Sequence, residues 1–183
     1  EHMAELLRQD WEPVVRIVVE AAIPSSPLMR AIRGLSSREV PTMVELQTDV
    51  LGGVLERFER DDAHLMLVKD FGSLPADHVV HPLPEISCVL VASSEHPLFA
   101  RCSPLLRRHQ LQDCLELNIQ VSSDGVSHAS DRRLGLPRVL HLDGFYAKKE
   151  ALMMGLGLGW MPRSLVESEL RTGELRVVPL DEG

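Results

Sequence analysis

The chain has 183 residues, 44% hydrophobic, 25% charged and 4% aromatic, with a formal charge of −8. That length supports one core or two small lobes, and the balance is that of a globular protein, neither disordered nor membrane-spanning. The acidity excludes DNA binding by this piece alone: "LRRH" at 106–109 and "DRRL" at 131–134 are short, sit beside acids, and form no basic stripe.

Taken in chain order, Glu1-His2-Met3 reads as a cloning remnant rather than the start of a secretory signal. Met3, Leu6 and Leu7 share one helical face, so residues 3–10 read as the end of a helix that begins upstream. "VVRIVVEAAI" (14–23) is a β-branched run that suits a strand buried on both faces. A helix is expected in "PSSPLMRAIRGL", with Ser25 or Ser26 as its N-cap and Pro27 in its first turn. "PTMVELQ" (41–47) alternates like a strand, residues 52–63 read as an amphipathic helix, and "HLMLV" (64–68) as a short buried strand. This β-α-β-α-β order implies a parallel sheet with helices over it.

Residues 81–99 carry an extended run and a loop marked by Pro97, and 103–114 is expected to be helical. "LELNIQVSS" (115–123) reads as a strand, "DGVSHASDRR" as a polar loop or helix entry, and "RVLHLDG" (138–144) as a further strand. The β/α pattern thus restarts after about residue 92. "FYAKKEALMMG" then forms a helix that Gly155 closes in the left-handed conformation. "LGLGWM" has the length of one short strand, in which Gly157 and Gly159 allow close backbone packing. Pro162 opens the next helix and Gly173 ends it. The three alternate glycines are not a dinucleotide loop, which requires G-x-G-x-x-G between a strand and a helix. Here a helix precedes them and the third comes one residue early.

Helix, G-x-G, a short apolar strand ending in proline, a helix and "GELRVV" together resemble the C-terminal signature of LysR-type transcriptional regulators. "VVRIVV" resembles the first effector-domain strand of that family, "VELQTDVLGGVLERFERDDAHLMLV" its second strand, helix and third strand, and "VLVASSEHPLF" its crossing segment. The resemblance covers about residues 12–180. His64 stands where the family usually opens the third strand with aspartate. Neither the family's winged helix-turn-helix nor its final helix is seen in the sequence. The resemblance implies an α/β fold: two Rossmann-like subdomains of the periplasmic-binding-protein type II fold joined by two crossover strands. It divides the chain into 1–11, the end of a linker helix or a cloning scar; 12–91 plus 177–183, a first lobe; and 92–176, a second. It also implies a small-molecule effector between the lobes, and a homodimer or homotetramer that meets DNA only through the helix-turn-helix. The helix at 27–35 and the apolar face of 163–170 are the implied dimer surfaces, with Met29 and Leu35 equally open to a place in the core.

Parallel sheets bind ligands at the carboxyl ends of their strands. That rule nominates Ala22, Ile23, Pro24, Ser25 and Ser26 after the first strand, and Asp49, Val50 and Leu51 after the second. The family often has a hydroxyl residue near Leu51, so leucine implies a more apolar pocket. Lys69 and Asp70 follow the third strand, and Lys69 suits an anionic effector, although a solvated lysine is the plainer reading. Ser122 and Ser123 end one strand of the second lobe, and Asp143, Phe145 and Tyr146 follow another. Phe145 or Tyr146 would either stack on a flat ligand or simply pack.

Three cysteines (Cys88, Cys102, Cys114) without C-x-x-C suit free thiols in a reducing cytoplasm. His78 and His81 lie in a Pro-rich extended stretch, where i, i+3 spacing does not bring them together, so no metal is expected. No cofactor is implied. No G-x-S-x-G and no recognisable Ser, His and Asp frame appear, so the chain reads as a non-enzyme with no membrane association. The alternative is the solute-binding protein of a transporter, which shares the two-lobed fold but should carry an export signal.

Overall fold

The computed structural model describes residues 11–38, 40–50, 53–69, 78–100, 105–120 and 132–181. The expected helix at 3–10, Cys102 and the loop "DGVSHASD" fall outside them. The chain divides into two compact units, 1–77 and 78–183.

In the first unit, β1 (Val14–Glu20) is the centre of a three-stranded sheet, flanked by β2 (Met43–Asp49) and β3 (Leu65–Leu67), and both pairings are parallel. Ile17, Val18 and Val19 are all buried, as a continuous β-branched run in a central strand should be. Helix α1 (Ser25–Ser36) connects β1 to β2 and α2 (Gly53–Arg60) connects β2 to β3, giving the expected β-α-β-α-β order. The cap of α1 differs from expectation. Pro24, extended at φ −60° and ψ 126°, precedes the helix without a side-chain cap, and Ser25 is already helical. Pro27 still falls in the first turn, where no amide has an intrahelical acceptor to lose.

His64 extends the β3 ladder beyond the strand itself. Its amide donates to the Arg16 carbonyl at 2.9 Å, and the Arg16 amide donates to His64 Nδ1 at 3.0 Å. The turn from β2 into α2 is held by Asp49, whose Oδ1 accepts from the Val50 amide and whose Oδ2 accepts from Arg57 Nε, both at 2.8 Å. Arg57 also donates to Gln47 Oε1.

The second unit holds a five-stranded sheet in the order β7-β6-β8-β4-β9. These are β4 (Cys88–Ser93), β6 (Glu116–Ile119), β7 (Val139–Leu142), β8 (Leu158–Pro162) and β9 (Leu175–Val177). β4 runs antiparallel to both β8 and β9, while β6 is parallel to β7 and β8. Alternation along the strands sends Leu90, Ala92 and Leu158 into one apolar cluster, and Val91 and Met161 into another on the opposite face. The division read from the sequence, at 91/92 with 177–183 in the first lobe, cuts through these ladders. Val178 also donates to the Leu90 carbonyl, and β10 (Leu180–Asp181) pairs with β5 (Leu106–Arg107).

The helix expected over 103–114 is not formed in its described part. Leu106 and Arg107 form β5, and residues 108–111 make a single 3-10 turn. Pairing with the tail decides this: the Leu106 amide donates to the Pro179 carbonyl at 2.7 Å, and Leu106 and Leu111 are buried on that side. A segment this short has little helical stability to set against such packing.

From residue 145 onward the elements follow the expected order closely. Helix α3 (Phe145–Met153) ends at Gly155, whose φ is 73°, and α4 (Arg163–Thr172) is preceded by Pro162 and closed by Gly173 at φ 81°. Between them, β8 approaches β6 so closely that a Cβ on Gly157 would lie 2.1 Å from the Leu115 carbonyl oxygen. A Cβ on Gly159 would lie 2.6 Å from the Leu117 oxygen and 2.8 Å from Cε of the buried Lys148, whose side chain crosses above it. The apolar face of α4 turns inward: Val166 is buried, and Leu165 and Leu170 pack on the same cluster. That removes the 163–170 face as an exposed dimer surface.

Lys149 ties α3 to α4. Its Nζ donates to the Leu165 carbonyl at 3.0 Å and pairs with Glu169 Oε1 at 2.5 Å. Burial raises the Glu169 carboxyl, but the Lys149 hydrogen bond, a backbone hydrogen bond and the Lys149 charge outweigh it, so the group titrates below the usual carboxylate range. A depressed folded value stabilises the protein above the unfolded carboxyl's range near 4.5, and that stability is lost as the pH falls through the folded value. Lys149→Met is therefore expected to lower stability at neutral pH, with the gap to wild type closing below about pH 4. Urea midpoints of the two proteins across pH 3–7 measure this, and a gap that does not change with pH would dismiss the pair.

Candidate functional site

In the first unit the three parallel strands deliver their carboxyl ends to one edge. The Ala21 amide donates to the Asp49 carbonyl at 2.8 Å, which joins the end of β1 to the end of β2. The Glu20 carboxylate, itself buried, accepts the Lys69 amide at 2.7 Å and joins the end of β1 to the segment after β3. Ala22 and Ile23 leave β1 here; Ala22 is buried and Ile23 and Pro24 half-buried, with the Ile23 amide turned back to the Glu20 carbonyl. Val50 and Lys69 are half-buried beside them. Ser25 and Ser26 are exposed on the first turn of α1. Leu51 and Asp70 lie outside the described residues.

Glu20 is the residue that strand-end reasoning overlooks. A single acid closing a β-branched run that is buried on both faces is a visible signal, because a carboxylate in that position needs donors. Its role is to fix the backbone from which Lys69 projects.

The second unit repeats this geometry with β6 and β7. The Gln120 amide donates to the Leu142 carbonyl at 2.7 Å, bringing the two strand ends together. Asp143 is exposed there, and α3 begins at once behind Gly144. Phe145 packs against the α3/α4-side cluster, whereas Tyr146 is 77% exposed on the first turn of α3. Ser122 and Ser123 lie outside the described residues. At the start of β6, Glu116 is only 1% exposed, and its two oxygens accept the Leu134 amide at 2.6 Å and the Leu136 amide at 3.0 Å. This carboxylate holds the segment that returns toward β7. Among the described residues no three His, Cys, Asp or Glu side chains come together as a metal set. No helix among them is long and apolar enough to cross a membrane.

Residues 8–183 match the family model described as the LysR substrate binding domain. The chain is 28% identical over 185 aligned residues to the probable HTH-type transcriptional regulator YhaJ of Escherichia coli K12, covering 96% of this chain and 58% of that protein. It therefore spans little more than half the length of that relative. Among solved structures it resembles the MetR regulatory domain, a LysR family regulator of Neisseria meningitidis (N. meningitidis), with a TM-score of 0.68 at 15% identity over 92% of this chain and 78% of that one. It also resembles the Synechocystis CcmR regulatory domain in complex with 2-PG, with a TM-score of 0.66 at 21% identity over 93% of this chain and 82% of that one. Likeness at this level shows the fold, which is the two-subdomain α/β fold of periplasmic-binding-protein type.

Proposed function

The chain belongs to the LysR substrate binding domain family, and on that premise we propose that it senses a small-molecule effector for a longer LysR-type transcriptional regulator. The observation that carries this reading is the family match over nearly the whole chain, joined by a curated relative that is itself a transcriptional regulator. The complex of CcmR with 2-PG supports ligand binding by this fold. The alternative of a transporter's solute-binding protein is not favoured by those relatives.

The effector meets strand-end loops, with Ala22, Ile23, Pro24, Ser25, Ser26, Val50, Leu51 and Lys69 contributing from the first unit. Ser122, Ser123, Asp143, Phe145 and Tyr146 contribute from the second. Nothing is transformed there. A compound that prefers one conformation shifts its population, and through it the engagement of DNA by a helix-turn-helix elsewhere in the longer protein. A preference of about 10–100-fold corresponds to ~1.4–2.8 kcal/mol, enough to change promoter occupancy. The charge of −8 fits this division of labour, because DNA contact then falls to another domain. The regulator works in the cytoplasm as a homodimer or homotetramer. Helix α1 supports that assembly: Leu28, Ile32 and Leu35 are only half-buried, and Met29 is exposed.

Lys69 gives the effector its sign. In a thermal-shift screen of metabolites, an anionic hit is expected to raise the melting temperature of wild type at least twice as far as that of Lys69→Ala. Equal shifts would remove Lys69 from the site. The same hits should alter the footprint of the full-length regulator on its promoter, and hits that bind without any change there would refute effector sensing.

A further inference from the structure

Among the described residues β3 is the shortest strand of the first unit's sheet and lies at its edge, so the contacts at its start matter to its hold on β1. The pairing of Ile17 with Leu65 places Arg16 opposite His64. The His64 amide donates to the Arg16 carbonyl at 2.9 Å, as a strand residue would, but the Arg16 amide donates at 3.0 Å to the ring nitrogen Nδ1 of His64. In a regular ladder that amide would meet a carbonyl of the neighbouring strand. Here the chain turns just before β3, with Asp62 left-handed at φ 49°, and a side chain supplies the acceptor.

An imidazole nitrogen accepts only while it carries no proton. The contact therefore needs a neutral ring with its hydrogen on Nε2. Protonation puts a hydrogen on Nδ1, two donors then face each other, and the bond is lost. Histidine is the side chain whose proton ordinarily comes and goes between about pH 5 and 8. His64 is exposed, so a proton reaches the ring without any opening of the unit. β3 packs on β1 and α2. From β1 comes Arg16, whose Nε lies 3.0 Å from Glu45 Oε2 of β2, with Glu20 at the far end of the strand. From α2 come the exposed Glu56 and Glu59, and Arg57 and Arg60, which pair with Asp61 at 3.7 and 3.0 Å. Among the described residues none of these charged side chains bonds to the imidazole.

We propose that His64 is a proton-operated latch: neutral, it closes the start of β3 onto β1, and protonated, it releases the Arg16 amide. The sign follows from the bond, which is present above histidine's ordinary range and lost as the pH falls through it. The bond from the His64 amide to the Arg16 carbonyl does not involve the ring and persists, as does the ladder over Leu65–Leu67. Acid thus frays the start of the strand without unfolding the unit. The latch lies at the opposite end of β3 from Lys69, and it stands whether or not the domain senses an effector.

Asparagine carries its side-chain oxygen as many bonds from the backbone as Nδ1 and accepts whatever the pH in this range. Amide exchange of Arg16, corrected for the intrinsic rate, is followed by NMR in the 183-residue chain at about pH 7.5 and about pH 5. In wild type the protection of Arg16 should fall about threefold or more at the lower pH. In His64→Asn it should be the same at both, and in His64→Ala low at both. The ring nitrogen shifts of wild type at the higher pH should show the proton on Nε2. The other histidines are common to all three proteins, so their titration cancels in the comparison. If His64→Ala fails to fold, wild type against His64→Asn carries the test. Unchanged protection of Arg16 in wild type overturns the latch, as does a fall of equal size in His64→Asn or a neutral ring with its proton on Nδ1.

Discussion

Gly157→Ala is expected to lower the stability of the second unit by about 3–4 kcal/mol, the upper end of what overpacking costs. The added methyl would sit 2.1 Å from the Leu115 carbonyl oxygen and 3.0 Å from the carbonyl carbon. Both atoms are backbone, so no flexible side chain can yield. The same oxygen accepts the Leu158 amide at 3.0 Å, and pushing the strands apart breaks that bond as well. The effect should appear as a lower urea midpoint at unchanged slope. Gly135→Ala is the control: its φ is 67° but nothing lies within 4 Å of the added methyl, so only the left-handed backbone penalty of ~1 kcal/mol applies. If the two variants unfold at the same midpoint, the close approach of β8 to β6 is not what requires glycine at 157.

Removing the Glu116 carboxylate should be as severe. Glu116→Leu fills a similar volume but leaves the Leu134 and Leu136 amides without acceptors in a buried site. Each orphaned amide costs ~1–3 kcal/mol, so a loss of about 2–6 kcal/mol is expected for the two. Glu116→Gln keeps one carbonyl oxygen and should lose roughly 1–3 kcal/mol. Amide hydrogen exchange supplies the local check: Leu134 and Leu136 should lose protection in the leucine variant while Leu90 and Val91 keep theirs. A leucine variant as stable as wild type would mean that the return segment does not depend on this carboxylate.

Where local chemistry and tertiary packing agree, reading the chain was enough. The β-branched run of β1 could be buried only as a central strand, and it is flanked on both sides in parallel. Gly155, Pro162 and Gly173 punctuate α3, β8 and α4 as their backbone preferences require. The same local rules failed at 103–114, where helical periodicity yields to pairing between Leu106 and Leu180. They also failed on the apolar stripe of 163–170, which covers the unit's own core rather than a partner.

The site was less legible than the fold, because a ligand site is made by residues distant in sequence. The strand-end rule located the loops from Ala22, Val50 and Lys69, since their position follows from β/α order alone. Glu20 was not singled out, because the rule looks past the last residue of a strand, although an acid closing a buried β-branched run is a signal in the sequence itself.

The order of the β/α elements and the family followed from the sequence itself, since they depend on periodicity, caps and glycines that act within about a turn or strand of their own position. Which buried carboxylate meets which amide, and that Asn118 lies opposite His141 and Glu116 opposite Leu158, was decided only by tertiary structure. Strand register sets those neighbours, and register is a property of pairs of strands that no single stretch of chain contains.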